Sequence, residues 1–129
     1  MGTFEFGPVS VAGAAGFGAW TRGLIDAIRQ LAATGEINPI PHFDAVVALY
    51  SRVLSALDGA AAEARKWGRS TIEVVSVPMT VAEHRQLKDV GRAIESYVGL
   101  LATRGLLDFE MKADEAAAMA ALVDGVHRP

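Results

Sequence analysis

TIEVVSVPMTVAEHRQL, residues 71–87, decides the fold class. Its first seven residues, TIEVVSV (71–77), are β-branched and bounded by Gly68 and Pro78, which is how a short strand reads. Thr80 and Glu83 then form an S/T-x-x-E capping box, in which each side chain can satisfy the other residue's backbone N–H. Beyond it Leu87, Val90, Ile94, Tyr97 or Val98, and Leu101 recur at spacings of three and four, the apolar face of a helix. Arg104-Gly105, a cation followed by glycine, closes that helix. A strand running into a long capped helix makes the chain α+β.

Toward the N-terminus, Val46, Val47, Leu49, Tyr50, Val53, Leu54 and Leu57 give a wide apolar face, predicting a central helix from about Pro41 to Trp67. Asp58-Gly59 is a point where it could bend. The prolines of EINPIP (36–41) force that segment to be extended. Trp20, Leu24, Ile28 and Leu31 share one side of a helix predicted over about 17–34, with Gly35 as its stop. Phe4 and Phe6, then Val9 and Val11, alternate with small or polar neighbours around Pro8, which suits one or two short strands. Toward the C-terminus, Leu107, Phe109 and Met111 alternate with Asp108 and Glu110 as a strand. A helix over 113–126 follows, with Met119, Leu122, Val123 and Val126 inward. The expected fold is α-rich α+β, with about four helices and a small sheet of short strands near 4–11, 71–77 and 106–111.

The chain has 129 residues, of which 51% are hydrophobic, and a mean hydropathy of +0.27. That length implies one domain over 1–129, with residues 1–16 as an N-terminal arm. A small domain has too much surface for its volume to hide so much apolar area in its own core. The surplus points to a subunit contact rather than a membrane. The net charge of −3 gives no general attraction to nucleic acid or anionic lipid. Without cysteine, disulfides and thiolate metal sites are excluded. No Lys or Arg precedes the first apolar run, and the longest uncharged run, Phe6 to Thr21, is too short and glycine-rich to span a bilayer as a helix. The expected location is cytoplasmic. Nine arginines against three lysines, with abundant Ala and Gly, suggest a bacterial or bacteriophage source.

AGAAGFGAW (12–20) resembles the strand-to-helix opening of short-chain dehydrogenases and sugar epimerases. Gly13 and Gly16 match the first two glycines, and Ala19 stands at the third. The resemblance implies a bare-backbone loop at 13–19 cradling a dinucleotide pyrophosphate. It covers about a dozen residues, and the rest of the chain departs from it. Where an acid should hold the ribose, the chain has Asn38-Pro39-Ile40-Pro41. The Tyr-x-x-x-Lys pair is missing too, because Leu54 follows Tyr50 and Leu101 follows Tyr97 at that spacing.

Other chemistry is sparse. His42, His84 and His127 are far apart and form no HExxH, so they read as surface or helix-end residues and no metal site is expected. The acids are spread evenly, and no G-x-S-x-G nucleophile motif occurs. Arg85, Lys88 and Arg92 form a row on the helix over 80–104, the place to look for an anion or nucleic-acid contact. Glu83, Asp89 and Glu95 interleave with them, as on a salt-bridged exposed face. Phe4, Phe6, Phe17 and Trp20 crowd the first twenty residues among frequent glycines, and with Leu24 they are the expected partner-binding surface. The alternative is that this arm folds back over the central helix and completes the protein's own core. The expectation is a non-enzymatic interaction or assembly subunit of a bacterial or phage complex, needing no cofactor and binding protein, either another copy or a larger assembly. The alternatives are a small nucleotide binder using 13–19 and a nucleic-acid module using Arg85, Lys88 and Arg92.

Overall fold

The computed structural model of the protein describes residues 2–105 and 113–128, apart from the side chain of Glu95. The elements run β1 (Thr3–Phe6), β2 (Val9–Ser10), α1 (Val11–Ala33), α2 (Phe43–Lys66), β3 (Thr71–Ile72), β4 (Val75–Pro78), α3 (Val81–Thr103), α4 (Ala113–Val123) and β5 (Val126–Arg128). Four helices and small sheets of short strands give the α-rich α+β class that the sequence implies.

β1 pairs antiparallel with β4 on one side and β5 on the other, while β2 pairs with β3. The two ladders share one register. Thr3 faces Pro78, Phe6 faces Val75, Val9 faces Ile72 and Ser10 faces Thr71. They are therefore halves of a single ribbon, interrupted at Gly7-Pro8 and Glu73-Val74. The inward phase changes together on both strands across that interruption. Phe4, Phe6, Val75 and Val77 point inward before it, and Val9 and Ile72 after it.

α1 begins at Val11, six residues earlier than the sequence suggests, because the Ser10 side chain accepts from Gly13 N–H at 2.9 Å and caps it. α2 runs unbroken through Asp58-Gly59. α3 carries the complete capping box, with Thr80 N–H donating to Glu83 at 2.9 Å and Glu83 N–H to Thr80 at 3.1 Å. α4 stops at Val123, so Val126, expected on the inward side of a helix, lies in β5 instead. The strand expected at 106–111 lies outside the described residues.

Two apolar clusters hold these elements together. One lies under the sheet and joins Phe4, Phe6, Phe17, Leu57, Val77, Met79 and Leu122. The other lies between the helices and joins Leu24, Ile28, Leu31, Val46, Ile94 and Leu101. Tyr50 of α2 touches both, so α2 is the spine of the fold. α2 is also long and apolar enough to cross a membrane by length and composition, but that apolar side is the one the two clusters share.

Candidate functional site

The glycine-rich stretch 13–19 lies wholly inside α1 and leaves no loop to wrap a pyrophosphate. Its bare backbone is used by α4. A Cβ at Gly13 would sit 2.5 Å from the Asp114 carbonyl oxygen, and one at Gly16 would strike the Glu115 side chain. The glycines allow close helix crossing, so the dinucleotide geometry implied by the resemblance is not formed.

The expected aromatic interface is also relocated. Phe4, Phe6, Phe17 and Leu24 are buried in the chain's own core, and Trp20 is half-buried against the helix cluster. Local glycine content suggested that these rings lacked support. The support comes from distance, because β1 is paired on both edges by strands from residues 75–78 and 126–128. The four buried side chains present no surface to a partner.

The histidines are not simply peripheral. His127, on the inward side of β5, donates from Nε2 to the Met79 carbonyl at 2.9 Å. The His84 ring lies 4.2 Å from the Phe4 ring, centroid to centroid. Burial, then Lys88 and His127, hold the His84 imidazole below its ordinary pKa, favouring the neutral ring. His42 is exposed in a left-handed conformation, φ 61°, ahead of α2 and without a side-chain cap. It lines a cleft of about 330 Å³ with Arg29, Pro39, Ile40 and Phe43, in which Arg29 lies 3.8 Å from Asp44. No group of three or more metal-ligating side chains occurs among the described residues.

Arg85, Lys88 and Arg92 are exposed on one side of α3, and among the described residues neither Glu83 nor Asp89 pairs with them. Glu83 turns instead to the Thr80 backbone and to Arg52, 3.3 Å away, and these hold its carboxyl below the usual range. Five arginines (Arg22, Arg29, Arg52, Arg104 and Arg128) have carboxylate partners. Arg65, Arg69, Arg85, Lys88 and Arg92 have none among the described residues.

Two further surfaces lie outside the site residues singled out from the sequence. The outward side of the sheet carries Thr3, Glu5, Ser76, Pro78, Val126 and Arg128, and the outer edges of β4 and β5 have no strand partner among the described residues. Val126 is 57% exposed there, and the exposed Val74, Val81 and Val123 adjoin the sheet in sequence. Asp124-Gly125 was the available signal that the last helix ends before Val126. The second surface is the end of α2, where Trp67 is 64% exposed among Arg65, Lys66 and Arg69. Three cations around one tryptophan was a readable pattern.

No family model matches this chain, and no curated protein or solved structure is significantly similar to it.

Proposed function

We propose that the protein is a non-enzymatic assembly subunit that associates through the open face and edges of its β4-β1-β5 sheet, either with a second copy or within a larger complex. The observation that carries this reading is the distribution of exposed large apolar side chains. Among the described residues five are exposed; four are valines, and they lie on the sheet's outward face or within a few residues of its strands. A short sheet packed on one side and open on the other leaves unpaired backbone groups at both edges, ready for another strand. Glu5 and Arg128, 3.3 Å apart on the same face, give it one charge of each sign, which a two-fold pairing could exchange between copies. The apolar composition supports the same reading, with the valines in place of the buried aromatics.

Light scattering with size-exclusion chromatography tests it. A defined oligomer that Val126→Glu converts to monomer, with helical content unchanged, is the expected result. A monomer at tens of micromolar whose behaviour Val126→Glu leaves unaltered would overturn pairing with a second copy.

A further inference from the structure

We infer that the corner at the end of α2, residues 65–69, binds single-stranded nucleic acid, with a base stacked on Trp67 and phosphates on the surrounding cations. The argument begins with the ring. Trp67 follows the last residue of α2, where backbone N–H bonds to Glu63 and Ala64 and the left-handed Gly68 fix the turn. The indole N–H donates to Glu63 at 2.8 Å, so the orientation of the ring is set and its one polar demand is met within the chain. The Lys66 ammonium lies 5.7 Å from the ring centroid. With that ammonium over one face, a base would stack on the other or displace the flexible Lys66 side chain. The ring is 64% exposed and oriented before any ligand arrives.

The charges around it complete the chemistry. Arg65 and Arg69 have no carboxylate partner among the described residues, although five other arginines do. Unpaired guanidinium groups two residues either side of an exposed aromatic ring suit single-stranded nucleic acid, because every base has a face to stack and every linkage an anion to pair. An anionic membrane fits less well. Sinking the indole into the interface would drag the Lys66 ammonium and the Glu63 carboxylate toward the apolar layer with it. The acidic chain as a whole would weaken binding without abolishing a local contact at about 0.1 M salt, where charges beyond a Debye length of about 10 Å are largely screened. This inference stands apart from the sheet-mediated assembly and uses none of its residues.

The test is fluorescence titration of the full chain with a 15-nucleotide oligothymidylate at low salt, read through tryptophan quenching. Expected are saturable quenching and an affinity that falls with salt with a log–log slope of about −2, from roughly three neutralised phosphates. Trp67→Phe should remove most of the quenching, and Arg65→Ala with Arg69→Ala should weaken binding at least tenfold with helical content unchanged. Fluorescence anisotropy of a labelled oligonucleotide keeps the test independent of the tryptophan signal. Absence of binding at low salt would overturn the inference. So would binding that survives both the Trp67→Ala and the Arg65/Arg69 substitutions, or binding only to phosphatidylserine vesicles.

Discussion

Replacing Gly13 by alanine should destabilise the protein, although alanine is the better helix former. An added Cβ would lie 2.5 Å from the Asp114 carbonyl oxygen and 2.8 Å from the Ser10 hydroxyl, against an ordinary contact of 3.4–4 Å. Relieving this means moving the start of α4 by about 1 Å or displacing the cap of α1. Forced overpacking of this kind costs about 1–3 kcal/mol, and a lost serine cap about 1 kcal/mol more. The helix-propensity gain of up to about 1 kcal/mol offsets part of that. The expected net loss is therefore about 1–3 kcal/mol, or roughly 3–15 °C in Tm for a domain of this size. Gly59→Ala is the control. Gly59 is exposed within α2 and has nothing within 4 Å of a Cβ, so the propensity term acts alone. It should stabilise by about 0.5–1 kcal/mol. Thermal and urea unfolding followed by circular dichroism measure both. If Gly13→Ala stabilises the protein as Gly59→Ala does, the close crossing of α1 and α4 at Gly13 is refuted.

Thr21→Val should stabilise by about 1 kcal/mol, because the Thr21 hydroxyl is buried without a hydrogen-bond partner among the described residues and valine keeps its shape; urea midpoints measure it. Thr80→Ala should cost about 1 kcal/mol by opening the capping box, while the Glu83 carboxyl should stay below its ordinary pKa in an NMR titration, because the Thr80 backbone N–H and Arg52 remain. His84, held below its ordinary pKa of 6.5, adds stability that is full above that value and is lost as pH falls toward its folded pKa. Tm should therefore drop between pH 7 and 5, and His84→Gln should flatten that part of the profile. A further drop through the carboxylate range, from Glu83, should remain in the variant.

Local signals made the helices legible and left the sheet half hidden. Thr80, Glu83 and Arg104-Gly105 mark α3 to within a residue, because caps and stops act through neighbours in sequence. The start of α1 was obscured because Gly and Ala carry no apolar periodicity, although Ser10 was there to cap it. β5 is three residues long and owes its conformation to β1, far away in the chain, so no window around Val126 reveals it. The burial of the N-terminal aromatics was hidden for the same reason. What buries Phe4 and Phe6 lies some 70 and 120 residues downstream. Trp67 and its cations were readable, because their arrangement is set by one helix end.

The central place of β1 has a consequence for synthesis of the protein. Residues 3–6 leave the ribosome well before their neighbours, one strand following only at residues 75–78 and the other at 126–128. Until translation has passed Arg128, the strand carrying Phe4 and Phe6 has at least one bare edge. Pairing across such separations is slow to form, and a nascent chain in that condition is a natural client for a chaperone. Ribosomes stalled between residues 80 and 120 should therefore hold an aggregation-prone chain. Release of the last strand, rather than formation of any helix, should be the event that makes the N-terminal segment resistant to protease.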